Sequence, residues 1–159
     1  MWRDVRQTLT EFQDNAQSLW VTGHSLGAAL ATLAVATLAE EDKPVNGLYT
    51  FGQPRVGNKE FCRNFDIDCK AITYRFINNN DVVTRVPTRS LGYRHVGQPL
   101  YIDVQGKIHT DIHWWNKFLD RVKGRIEDLG KLGTDGIKDH SMEKYVKNLK
   151  RKVNKKKLV

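Results

Sequence analysis

The chain reads as an α/β protein with a mainly parallel sheet flanked by helices. Two observations carry that reading. β-prone stretches at 18–22, 46–51 and 71–77 alternate with helical patterns at 2–17, 26–39 and 59–65, the order that builds a parallel sheet by crossovers. The string Gly23-His24-Ser25-Leu26-Gly27 sits between the first of those strands and an Ala/Leu-rich helix. A G-x-S-x-G string in strand–turn–helix context is a nucleophile elbow, which lifts a serine hydroxyl out of the turn at the carboxyl end of a strand. Ser25 then needs a strained backbone, and Gly23 and Gly27 are expected to be glycines because a side chain at either would strike the neighbouring strand or helix.

Each element follows in order. Trp2, Val5, Leu9, Phe12 and Ala16 recur at helical spacing over residues 2–17, an amphipathic helix leading into the nucleophile strand. The helix after Ser25 is apolar nearly all round to Ala39, so it is expected to be covered on more than one side. At 14 residues from Leu26 to Ala39 the run is too short and too rich in alanine to span a bilayer. Glu40 to Pro44 end it, and a strand follows at 46–51. In the Pro/Gly loop after that strand, Asn58 is placed to cap a short helix at 59–65. The strand 71–77 is followed by Asn78-Asn79-Asn80-Asp81, so Asp81 and Ser25 both lie just past strands, on the edge where ligands of such sheets bind. Residues 92–96 and 99–104 are β-prone, with a hairpin turn at Gln105-Gly106-Lys107 into Ile108. Trp115, Phe118, Leu119, Val122, Ile126 and Leu129 mark an amphipathic helix over 113–129. A Gly-containing loop over 130–139 then delivers His140. A last helix from about Ser141 carries Met142, Tyr145, Val146 and Leu149 on one side.

A length of 159 residues bounds this to one domain with a real core. The net charge of +8 is unevenly held. Eight of the 26 Lys and Arg lie from Lys144 onward with no acidic residue among them, leaving 18 basic against 18 acidic before that point. The domain division expected is therefore a core over 1–150 and a basic tail over 151–159. A basic tail on a neutral body fits attraction to an anionic membrane surface. It argues against nucleic acid as a partner, because no aromatic is interleaved with the charges after Tyr145. The charged start Met1-Trp2-Arg3-Asp4-Val5-Arg6 has no apolar leader, from which a cytoplasmic chain is expected. Cys62 and Cys69 are too few for a disulfide scaffold and are expected to be buried or half-buried thiols.

A serine hydroxyl needs a base, itself held by a carboxylate. Of the five histidines, His24 adjoins Ser25 in a tight turn where neighbouring side chains diverge, and His95 lies in a β-prone stretch. His109, His113 and His140 all follow Asp81, and order alone leaves them open.

Several motifs together resemble the class-three lipases, the fungal-lipase-like α/β-hydrolases, over roughly residues 5–150. They are Val21 to Gly27 at the elbow, Tyr49-Thr50-Phe51-Gly52-Gln53-Pro54-Arg55-Val56-Gly57-Asn58, Asn79 to Val83 with Val86-Pro87, and Asp139-His140-Ser141-Met142 with Tyr145. The resemblance implies Ser25 as nucleophile, Asp81 as orienting acid, His140 as base and the Leu26 backbone N–H as an oxyanion donor. The activity implied is hydrolysis of acylglycerols or other lipid esters, with no metal or organic cofactor. Tyr93-Arg94-His95-Val96-Gly97 also looks like a family segment, one without a triad member. The departures are Ala28, where the family carries a further glycine, and the early segment: only 24 residues precede Ser25. The fold expected is thus a truncated α/β-hydrolase, with residues 18–22 as an open sheet edge prone to homodimer formation, no lid, and weak activity biased toward short, soluble esters. The competing reading is an incomplete lipase-like module that binds lipid or a partner with little turnover.

Overall fold

The computed structural model describes residues 2–12, 17–110 and 136–156. Its centre is a five-stranded sheet in sequence order, β1 (Trp20–His24), β2 (Gly47–Phe51), β3 (Thr73–Asn78), β4 (Gln98–Ile102) and β5 (Ile108–His109). The first four run parallel and β5 returns antiparallel, so the expected α/β class, mainly parallel and flanked by helices, is what forms. The helices are α1 (Trp2–Phe12), α2 (Leu26–Glu40), α3 (Lys59–Cys69) and α4 (Met142–Lys156). The expected helix over 113–129, with His113 at its start, lies outside the described residues, as does Ala16.

The alternation of side chains along each strand makes two cores. On one face Leu48 meets Val35 and Ala31 of α2, Phe65, Cys62 and Cys69 of α3, and Val96. Both cysteines are therefore buried free thiols, and burial, aided by Asp66 and Asp68, raises their proton affinity. On the other face Phe76 and Ile102 pack with Tyr145 of α4, flanked by Tyr49, Phe51, Tyr74 and Leu149. Along this face Tyr49 stacks on Tyr74 at 5.3 Å and Phe51 on Phe76 at 5.0 Å between ring centroids, distances at which aromatic pairs attract. Asn58 caps α3 as expected, accepting from the Phe61 N–H at 2.8 Å. The helix runs four residues beyond the expected end because Cys69 continues its buried stripe.

Several expectations differ from the fold. Nothing on α1 is buried: Val5 is 41% and Phe12 60% exposed, and an Arg6–Glu41 ion pair at 3.4 Å links the helix to the end of α2. Among the described residues α2 is covered on one side, in line with the loss of part of its cover that the short early segment implies. Ala28, Ala31, Thr32, Val35 and Leu38 are buried, while the stripe Leu26, Leu30 and Leu33 is exposed. Residues 92–96 are no strand. Gly92 and Gly97 take positive φ, and Arg94 makes a single bridge to Gly57. On α4 only Tyr145 and Leu149 face the sheet, Met142 and Val146 being exposed. That helix runs to Lys156. The hairpin turn forms as expected, with Gly106 at φ +78°. There Asp103 accepts from the Gln105 and Lys107 N–H groups and holds His109 at 2.8 Å.

His95 is built into this fold rather than into the edge that carries Ser25. Its Nε2–H donates to the Thr84 carbonyl at 2.8 Å. Burial first, then the cations Arg75, Arg55 and Arg89, push its pKa down to about 2. An unfolded chain protonates this ring below its ordinary pKa of about 6.5, whereas the folded ring refuses the proton until far lower pH. The unfolded state therefore binds more protons in that window, and stability falls as pH falls through it, with a slope of up to about 1.4 kcal/mol per pH unit. Denaturant unfolding at pH 7 and pH 5 should show a smaller loss for His95→Asn than for the unaltered chain. Equal losses would refute this.

Candidate active site

Ser25 sits between β1 and α2 with φ 58° and ψ −129°, a conformation that costs an L-residue on the order of 1–3 kcal/mol. Its N–H is held by the Phe51 carbonyl at 3.0 Å. The strain is enforced by close packing at Gly23, where a Cβ would come within 2.4 Å of the Gly27 carbonyl oxygen. Gly27 differs from expectation: a Cβ there would meet open space, so packing among the described residues does not require glycine at that position. Backbone bonds to the Ser25 carbonyl begin at the Ala28 and Ala29 N–H groups. The Leu26 N–H precedes them, in the first turn, where helix N–H groups lack intrahelical partners and the dipole is positive.

The structure brings the three expected side chains together. His140 Nε2 is 2.7 Å from Ser25 Oγ, and its Nδ1 is 3.0 Å from both carboxylate oxygens of Asp81. A carboxylate only accepts, so Nδ1 carries the proton and Nε2 presents its lone pair to the serine hydroxyl. Asp81 is 1% exposed. Besides His140 it accepts from the Val83 N–H at 2.9 Å and the Tyr145 hydroxyl at 2.7 Å, which compensates the burial of its charge.

Three further residues make this geometry possible, and the sequence reading assigned none of them a role. Gly52 has φ +60°, and a Cβ there would lie 2.8 Å from Asp81 Oδ2 and from His140 Nδ1, so any side chain would part the pair. Tyr145 is fully buried. It donates to Asp81 and accepts from the Asn78 N–H at 3.0 Å; burial and then the Asp81 charge raise its proton affinity, so the phenol remains the donor. The His24 ring stacks on His140 at 4.6 Å, and its Nε2–H donates to the His140 carbonyl at 2.7 Å rather than meeting the Ser25 hydroxyl. The histidine of the elbow thus clamps the histidine of the late loop.

The Asn run before Asp81 positions that late loop. Asn78 Nδ2 donates to the Asp139 carbonyl at 2.8 Å, and Asn79 Nδ2 to the Asp139 carboxylate at 2.7 Å. Lys144 pairs with the other Asp139 oxygen at 2.8 Å. His109, the other described histidine that chain order left open, is held by Asp103 in the hairpin.

A strained serine on an elbow, a histidine and a buried carboxylate define a class of serine hydrolases of α/β architecture. The family model of lipase (class 3) matches residues 1–91, and the chain belongs to that family. It is 45% identical over 83 residues to the secreted mono- and diacylglycerol lipase 1 of Fusarium solani, covering 52% of this chain and 24% of that protein. Among solved structures, the mono- and diacylglycerol lipase from Aspergillus oryzae matches at TM-score 0.59 and 35% identity, over 65% of this chain and 39% of that one. A structure described as a serine protease triad forming the catalytic centre of a triacylglycerol lipase matches at TM-score 0.56 and 28% identity, over 68% and 41%. The chain thus spans about a quarter of the Fusarium protein and two fifths of the solved structures. The Fusarium relative and two from Penicillium are named as secreted, which overturns the expectation of a cytoplasmic chain. A charged opening run says nothing of export when the chain spans so small a share of its relatives.

Tyr145→Phe keeps the ring but leaves the Asn78 N–H without its buried acceptor and removes one donor from Asp81. A stability loss of about 1–3 kcal/mol is expected, read as a lower denaturant midpoint at unchanged slope. A midpoint within experimental error of the unaltered chain would show that neither bond contributes.

Proposed function

We propose that the chain is the catalytic part of an exported serine carboxylester hydrolase acting on acylglycerols or other lipid esters. The observation that carries this is the run of contacts from Ser25 through His140 to Asp81 at 2.7 and 3.0 Å, set behind a strained elbow in a chain of the class 3 lipase family. Ser25 Oγ attacks the ester carbonyl carbon and gives its proton to His140 Nε2, while Asp81 holds and stabilises the imidazolium. The negative oxygen of the tetrahedral intermediate lies against the Leu26 N–H, and one such donor is worth roughly 10²–10³ in rate. His140 then returns the proton to the departing alkoxide, and water attacks the acyl-serine by the same path in reverse. An apolar rim favours lipid acyl groups. Leu26, next to the nucleophile, is 69% exposed, and Ile137, in the helical segment that delivers His140, is 66% exposed.

The open surfaces support self-association. Among the described residues β1 pairs only with β2, Trp20 on it is 58% exposed, and the leucine stripe of α2 lies bare beside it. An unpaired strand edge next to an apolar stripe is a template for a second copy. Sedimentation at micromolar concentration should show a dimer, and a clean monomer would count against it. The basic residues of α4 add an attraction of about 1 kcal/mol each to an anionic membrane surface, lost at high salt.

Hydrolysis of a short-chain soluble ester should fall on the order of 10⁴-fold in Ser25→Ala, Asp81→Asn and His140→Ala, because the three act as a unit. His109→Asn should keep the activity. Turnover retained in His140→Ala and lost in His109→Asn would mean that the base is misassigned.

A further inference from the structure

Five arginines gather where the loop after β2 meets the segment between β3 and β4, and none of them is hydrogen-bonded to Ser25, His140 or Asp81. The backbone knits this region together. The Arg55 N–H donates to the Val86 carbonyl at 2.8 Å, and Arg55 Nη1 donates to the Pro87 carbonyl at 2.7 Å and also to that of Arg85. The Arg94 N–H donates to the Gly57 carbonyl at 2.8 Å, and its Nη1 reaches the Arg89 carbonyl at 3.0 Å. Beneath them Arg75 of β3, 5% exposed, donates from Nε to the Val96 carbonyl at 3.3 Å.

Every acceptor so far is neutral. Among the described residues no carboxylate lies within ion-pair distance of Arg55, Arg75, Arg85, Arg89 or Arg94. The two acids that act on them from further away are engaged elsewhere, Asp81 with His140 and Asp66 with the Gly97 N–H. Two donors are left over and shielded from solvent, Arg75 Nη1 and Arg55 Nε. A buried guanidinium without a counter-charge is costly, and like charges packed together add to the cost. Burial first, and then the neighbouring guanidinium charges, hold His95 neutral and weaken the hold of Arg55 on its own proton.

We propose that this cluster is an anion site for a phosphate group, either inorganic phosphate or the phosphate of a lipid headgroup, separate from the Ser25 site. Buried donors without acceptors and a concentration of guanidinium groups with no carboxylate partner among the described residues call for an anion carrying more than one acceptor oxygen. Arginine forks match phosphate oxygens in pairs, and a dianion offsets more of the gathered charge than chloride or a carboxylate can. Arg89, exposed and free of any ion pair among the described residues, guards the solvent side.

Calorimetric titration of the full chain with inorganic phosphate, at ionic strength held constant with potassium chloride, tests this. Binding is expected, weakened about tenfold in each of Arg89→Gln and Arg94→Gln, the loss of one charge-assisted bond. Melting curves establish that both variants fold. Vesicles of phosphatidic acid in phosphatidylcholine identify the source. Weaker vesicle binding by Arg89→Gln points to the headgroup, and unchanged vesicle binding beside weakened phosphate binding points to the free ion. Phosphate binding no better than acetate at equal ionic strength, or equal in Arg89→Gln and the unaltered chain, would overturn the proposal.

Discussion

A carboxylate taken out of water organises the active edge of this protein. Asp81 is nearly inaccessible, and its oxygens meet the His140 ring, the Tyr145 hydroxyl and the Val83 N–H, the hydrogen-bond partners that a buried carboxyl group requires. Those three donors come from the turn before α4, from α4 itself and from the chain just past β3. Meeting the needs of one charge therefore joins the end of the chain to the middle of the sheet. The other contacts of the edge follow from it. Gly52 has no side chain where one would strike this pair, and the Asn78 N–H shares the phenol that serves Asp81.

The late loop is fastened twice. From the β3 side, Asn78 and Asn79 grip Asp139; from the elbow side, His24 stacks on His140 and holds its carbonyl. His140 and Ser25 are thus linked by side chains of their own neighbours in sequence. The distance of 2.7 Å between His140 Nε2 and Ser25 Oγ is over-determined by packing, as preorganised sites require. The backbone strain at Ser25 persists for the same reason: Gly23 lets the first turn of α2 close against β1.

Much of this was legible in the residues, and where it was not the cause is physical. The alternation of strand and helix and the elbow are local patterns, and they laid out the sheet and put Ser25 and Asp81 at its edge. Chain order left His109, His113 and His140 open, and the choice of His140 came from the resemblance to the class-three lipases. Long-range partners leave no local mark. Tyr145 read as one more apolar position on α4, and the hydroxyl that makes it the partner of Asp81 is invisible to periodicity. His24 was set aside as a base, since adjacent side chains diverge at a turn, and the reach of its ring to the His140 carbonyl depends on a segment 116 residues away. Residues 92–96 had the composition of a strand, but two glycines at positive φ and the pairing of Arg94 with Gly57 turn them into a buttress for the 52–57 loop. The apolar stripes of α1 and of α2 at Leu26, Leu30 and Leu33 lie exposed, because an amphipathic or apolar pattern reports a face that favours cover, not the presence of the cover.

The central claim is that His140, oriented by Asp81, activates Ser25. A fluorophosphonate ester reacts with a serine only when that hydroxyl is deprotonated by a neighbouring base, so the site of the adduct reads the claim directly. Peptide mass spectrometry after brief exposure should place a single adduct on Ser25 in the unaltered chain and none in His140→Ala. An adduct on another residue, or labelling of Ser25 at the same rate without His140, would contradict the account.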